Sequence, residues 1–121
     1  MKKILVVDDD PDIRYAIKES FFTEYDIISA DSGKKCLQIL ETKNPDVILL
    51  DIMMPDMNGW ETFTKIRERS SFRNTPIIFL TARRDDTAKK AGCFLGDDYI
   101  EKPFEINDLK SRIEKIFKNR K

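Results

Sequence analysis

Asp51 closes the apolar run Val47-Ile48-Leu49-Leu50 and precedes the segment Ile52-Met53-Met54-Pro55-Asp56-Met57-Asn58-Gly59. A charge is costly inside a sheet core, but at the carboxyl end of a strand it can face a solvent crevice while the backbone behind it stays rigid. Asp51 is therefore the best candidate for a reacting group. Three other apolar runs also end in polar groups: Lys3-Ile4-Leu5-Val6-Val7 in Asp8-Asp9-Asp10, Pro76-Ile77-Ile78-Phe79-Leu80 in Thr81, and Tyr99-Ile100-Glu101 in Lys102-Pro103. The chemistry open to such a set is that of an ionised carboxylate beside other acids, a hydroxyl and an ammonium, and it is expected where these ends meet.

Short β-branched runs alternate with segments of helical period, which argues for an α/β domain with a largely parallel sheet. Five strands are expected near residues 3–7, 26–30, 46–51, 76–81 and 98–101. Asp10 and Pro11 read as an N-cap and first helical residue, followed by the face Ile13, Ala16, Ile17, Ser20 and Phe21. Cys36, Leu37 and Leu40 mark a second helix, Trp60, Phe63 and Ile66 a third, and Ile106, Leu109, Ile113, Ile116 and Phe117 a strong final one. Between them, Ala88, Ala91 and Leu95 form only a thin apolar stripe, so a weak helix is expected over residues 84–95, where local rearrangement is cheap. The second strand, Tyr25-Asp26-Ile27-Ile28-Ser29-Ala30, is the more polar and reads as an edge. Right-handed crossovers place helices on both faces of such a sheet, and ligands bind beyond the carboxyl ends of its strands where the winding reverses.

The 121 residues fit one domain with one site, and 22 basic against 22 acidic side chains give no general electrostatic reason to expect nucleic acid or an acidic membrane. The basic tail Lys115, Lys118, Arg120 and Lys121 suits the solvated end of a helix. Histidine is absent, which excludes histidine-based triads, histidine zinc sites and phosphohistidine chemistry within the chain. Cys36 and Cys93 lack Cys-x-x-Cys spacing and are expected to pack as small apolar groups in a reducing cytosol. The apolar runs are too short to span a bilayer and the first meets Asp8 at once, so a soluble cytoplasmic protein is the expectation.

Taken together, Val6-Val7-Asp8-Asp9, Asp51-x-x-x-Pro55-x-x-x-Gly59, Leu80-Thr81-Ala82 and Asp97-Asp98-Tyr99-Ile100-x-Lys102-Pro103-Phe104 resemble the receiver domain of two-component response regulators, the chemotaxis-type module of phosphorelay signalling. No single piece is decisive, but four in order at matching strand ends are a strong signal. The resemblance covers the whole chain, 1–121, read as a single receiver with no output domain. It implies a doubly wound five-stranded parallel sheet of order 2-1-3-4-5, a flavodoxin-like three-layer sandwich.

The resemblance also implies roles. Asp51 becomes the phosphoacceptor, forming an acyl phosphate. Asp9 and Asp51 bind Mg²⁺ or Mn²⁺ directly with the Met53 carbonyl, while Asp8 acts mainly through water. Thr81, Ala82 and Lys102 meet the phosphoryl oxygens, and Thr81 with Tyr99 forms the switch. Charge counting agrees: Asp8, Asp9, Asp51 and Lys102 sum to about −2, which one divalent cation offsets. The Lys102-Pro103 bond is a candidate for the cis form. The implied donor is a phosphohistidine on a sensor histidine kinase or histidine phosphotransfer protein. The output surface combines the weak helix, the fifth strand and the last helix, with Lys89, Lys90, Tyr99, Glu101 and Lys110 toward an unidentified protein partner. Met53 and Arg83 are expected to flank the acyl phosphate and slow its hydrolysis. The stretch from Thr81 to Lys102 is about one residue shorter than the family pattern, which touches the weak helix and not the acidic pocket.

Each residue also has a plainer reading. An isolated Asp-Asp-Asp-Pro is more often a helix cap than a metal site, and Asp10 is expected to cap. Thr81 alone would be a strand-end hydroxyl, Lys102 a surface lysine and Tyr99 half-buried packing; Met53, Met54, Met57 and Trp60 read as packing. The main alternative is a small Mg²⁺-dependent aspartate-nucleophile phosphatase, disfavoured because Met53 stands two residues after Asp51 where those enzymes place a second carboxylate. A flavodoxin-like electron carrier is disfavoured because Asp8-Asp9-Asp10 would repel a flavin phosphate.

Overall fold

The computed structural model describes residues 1–82 and 98–119. Five parallel strands, β1 (Lys3–Val7), β2 (Asp26–Ala30), β3 (Val47–Asp51), β4 (Ile77–Ala82) and β5 (Asp98–Lys102), form one sheet in the order β2-β1-β3-β4-β5. Each lies within one residue of the position expected from hydrophobic patterning, and polar β2 is an edge strand.

Alternation along the central strands sorts their side chains into two cores. Leu5, Val7, Ile48, Leu50, Ile77 and Phe79 face one way, against Cys36, Leu40, Phe63 and Ile66 of the second and third helices α2 (Gly33–Ile39) and α3 (Gly59–Glu68) and their flanks. Ile4, Val6, Val47, Leu49, Ile78 and Leu80 face the other, against Ile17 and Phe21 of α1 (Pro11–Phe21) and Leu109 and Ile113 of the C-terminal helix (Ile106–Asn119). Each such side chain, buried, contributes roughly 1.5–3 kcal/mol. The result is the doubly wound three-layer sandwich.

Short polar side chains start the helices. Asp10 accepts from the Asp12 N–H at 2.9 Å with Pro11 in the first position, Ser32 caps α2 through the Lys35 N–H, and Asn58 caps α3 through the Glu61 N–H. Cys36 is fully buried, and burial pushes its thiol up to about 12, so it packs as an inert apolar group. The helix expected over residues 84–95, with Lys89, Lys90 and Cys93, lies outside the described residues, as does Arg83. Among the described residues no helix is long and apolar enough to cross a membrane.

Candidate functional site

Register brings the polar strand ends together. Val7 pairs with Leu50 across β1 and β3, Asp51 with Leu80 across β3 and β4, and Ala82 with Lys102 across β4 and β5. Asp8 and Asp51 therefore leave the sheet side by side, with Thr81 one position beyond the partner of Asp51. Asp8, Asp9 and Asp51 offer carboxylate oxygens that all lie within 4.8 Å of one another. Asp8 and Asp51 are buried and Asp9 is exposed.

Local backbone geometry holds the acids. Asp8 Oδ1 accepts from the Asp10 N–H at 2.9 Å, and the Asp8 carbonyl accepts from the Arg14 guanidinium at 2.6 Å. Asp51 Oδ1 accepts from the Met53 N–H at 3.3 Å. Behind Asp51, Gly59 is required by space: a Cβ there would lie 2.4 Å from the Asp51 carbonyl oxygen and 2.6 Å from Ile52 Cα. The Gly59 N–H also donates to the Ile52 carbonyl at 2.9 Å, which docks the start of α3 against the end of β3. The intervening loop contains a tight turn, in which the Met57 N–H reaches the Pro55 carbonyl at 2.8 Å across Asp56, whose φ is 67°. Aspartate tolerates that left-handed conformation better than most residues.

Lys102 completes the cluster. Its Nζ lies 2.7 Å from Asp8 Oδ2 and 3.2 Å from Asp51 Oδ1, and the Lys102-Pro103 peptide that follows is cis. Burial raises the Asp51 pKa, the neighbouring Asp8 raises it further, and Lys102 with the Met53 N–H offsets only part, leaving it at about 7. Burial works against the charged form of Lys102, but its contacts with Asp8 and Asp51 outweigh it and raise the Lys102 pKa. One ammonium thus serves two desolvated carboxylates.

The donor set fits a hard divalent cation. It is all oxygen, it carries excess negative charge, and Asp8 Oδ2, although fully buried, accepts no well-directed hydrogen bond from the described residues. Such sites suit Mg²⁺ or Mn²⁺, which keep several waters and take few protein ligands.

The remaining residues named from the sequence are distributed as follows. Thr81 is fully buried, and its hydroxyl points to the Ile100 carbonyl of β5 at 3.5 Å. Tyr99 is half-buried and packs on the Phe79 side of the sheet, while Glu101 is half-buried on the same strand. Lys110 meets Glu24, after α1, at 2.6 Å. One expectation is corrected: Met53 does not pack, being 63% exposed, and Met54, at 8%, takes the inward place because the alternation of β3 runs on through Ile52.

Two arginines were not anticipated. Arg14 grips Asp8 from α1. Arg112 bonds both carboxylate oxygens of Asp98 at 2.9 Å and the Tyr99 carbonyl at 3.0 Å, tying the C-terminal helix to β5. Neither disturbs the apolar periodicity. The only available signal for Arg14 was its place one turn into the helix that Asp10 caps.

The response regulator receiver domain family model matches residues 4–114. The uncharacterized transcriptional regulatory protein YrkP of Bacillus subtilis (strain 168) is 42% identical over 113 residues, 92% of this chain and 47% of YrkP. The receiver domain of Francisella response regulator 1452 superposes with a TM-score of 0.89 at 37% identity, covering 100% of both chains. Thermotoga maritima response regulator TrrA, solved in complex with Mg²⁺-BeF, gives a TM-score of 0.83 at 34% identity over 96% of this chain and 99% of that one. The chain spans half or less of the length of the curated relatives it is compared with, from 9% to 50%. Sequence relatives, superposed structures and the sheet order agree, and the chain belongs to the response regulator receiver domain family.

Proposed function

We propose that this domain is a phosphorylation-dependent switch of a two-component system, in which Asp51 accepts a phosphoryl group from a phosphohistidine on a sensor histidine kinase or histidine phosphotransfer protein. The observation that carries the reading is the convergence of two buried carboxylates, Asp8 and Asp51, on the ammonium of Lys102. A carboxylate oxygen of Asp51 forms the new P–O bond while the donor's P–N bond breaks and the departing imidazole takes up a proton. Lys102 is a compact point charge able to follow a phosphoryl oxygen. Thr81 offers a hydroxyl to another by giving up its 3.5 Å contact with Ile100, and the Ala82 backbone follows it in the strand. Asp8, Asp9 and Asp51, with the Met53 carbonyl, would hold Mg²⁺ or Mn²⁺, which when bound shields the carboxylates from the incoming anion. The TrrA complex with Mg²⁺-BeF supports that choice of ion.

In this reading the domain catalyses its own phosphorylation and slow dephosphorylation and acts as a cytoplasmic switch on another protein. Its output surface combines the segment that carries Lys89 and Lys90, β5 with Tyr99 and Glu101, and the C-terminal helix, where Lys110 meets Glu24. The test is incubation with a small phosphodonor and Mg²⁺ followed by intact mass measurement. Wild type gains one phosphoryl group and Asp51→Asn gains none; labelling that persists in the variant overturns the assignment.

A further inference from the structure

We propose that Arg14 is a positioning residue for the cation pocket, fixing the backbone of Asp8 and through it the affinity of the Asp8, Asp9 and Asp51 oxygens for Mg²⁺. The inference rests on the functional reading above, because it takes the three carboxylates as the cation's ligands.

The argument begins at the corner where β1 ends. The Asp8 N–H donates to the Ala30 carbonyl of β2 at 3.1 Å, Asp8 Oδ1 accepts from Asp10, and the Asp8 carbonyl accepts from Arg14 at 2.6 Å. The first joins two backbone groups and the second joins a backbone N–H to the carboxylate of Asp8 itself, so neither needs another side chain. The third is made by a side chain one turn into α1, where the Arg14 N–H is itself bonded to the Asp10 carbonyl at 3.2 Å. Arg14 therefore braces the corner from the helix back to the strand end with a charge-assisted bond. The brace leaves Asp8 Oδ2 facing Lys102 and sets the direction in which the chain leaves toward Asp9. Asp9 is exposed, so its carboxylate depends on that backbone for its place beside Asp51.

A plain electrostatic effect has the opposite sign. A guanidinium near a divalent cation repels it, so if Arg14 were only a nearby charge, removing it would tighten Mg²⁺ binding, and more so at low ionic strength. If Arg14 positions Asp8, removing it weakens binding, as loss of an outer partner of a metal ligand commonly does, by about tenfold or more. The sign of the change separates the two.

The experiment is calorimetric titration of the metal-free protein with Mg²⁺, in parallel with thermal melting of the same metal-free samples. Arg14→Met, which keeps the apolar stem and removes the donors, is expected to weaken Mg²⁺ about tenfold with little change in metal-free melting. Arg14→Lys, which retains one donor group, is expected to fall between Arg14→Met and wild type. Equal or tighter binding by Arg14→Met overturns the proposal. So does weaker binding accompanied by a fall in metal-free Tm of about 8 °C or more, roughly 2 kcal/mol, since Arg14 would then be serving the fold. Failure of wild type to bind Mg²⁺ would instead sink the functional reading on which the proposal stands.

Discussion

Two clusters of acid and base flank β5, and they use the same chemistry to opposite ends. On the side of β1 and β3, one lysine lies between two carboxylates that are almost wholly removed from water. Against the C-terminal helix, one arginine bonds Asp98 through both oxygens, the Tyr99 carbonyl and, at 3.3 Å, Asp108, all with water at hand. In the second cluster the donors match the acceptors, and what remains is a modest tether. In the first they do not match, and the imbalance sits on Asp51 as a pKa raised to about 7. The cluster left unbalanced is the one to which the proposed function assigns the cation and the phosphoryl group; the cluster that satisfies itself ties the C-terminal helix to β5.

The strongest way to break this contrast is Lys102→Met. It leaves two buried carboxylates without a counter-charge, and the metal-free domain is expected to lose about 3–5 kcal/mol at pH 8 by urea unfolding. A loss no larger than that of an exposed pair would show that the pocket is well solvated. Asp51→Asn goes the other way, stabilising the metal-free domain at neutral pH by on the order of 2–4 kcal/mol. The sign follows from linkage: the folded-state pKa of about 7 lies above the ordinary 3.8, so the protonated Asp51 favours folding fully below pH 3.8 and that advantage is lost as pH rises through about 7. The Tm gap between Asp51→Asn and wild type should therefore be closed in acid, open between about pH 4 and 7 and then level off; a gap independent of pH would count against buried charge as its cause. The smallest effect is expected from Arg112→Met, about 1 kcal/mol or less, shrinking in high salt. A loss several times larger would make the two clusters energetically alike.

The fold was legible because its signal is repetitive. Five strand-length runs, the second of them more polar, and the cap at Asp10 lie where burial and hydrogen bonding demand them, while the caps at Ser32 and Asn58 emerged only from the structure. The candidate site was legible for a related reason, since Asp8, Asp51, Thr81 and Lys102 each break an apolar run at its carboxyl end. Bonds from a long side chain to one backbone carbonyl have no such period, and Arg14 and Arg112 escaped notice because they sit on helix faces that could equally have been solvated. The exposure of Met53, expected to pack like Met54, has a different origin. Two identical neighbours carry no contrast, so which one turns inward depends on whether the pleat of β3 persists past Asp51, and it does.

Gly59 gives the site a direction. With less than a methyl group's clearance between the start of α3 and the backbone of Asp51 and Ile52, the strand end rests on an anvil. On the opposite side β4 pairs with β5, Thr81 standing beside Glu101, and the Thr81 hydroxyl adds a long contact to the Ile100 carbonyl. A hydrogen atom in place of a side chain thus lets the start of α3 seat directly on the strand end that carries Asp51.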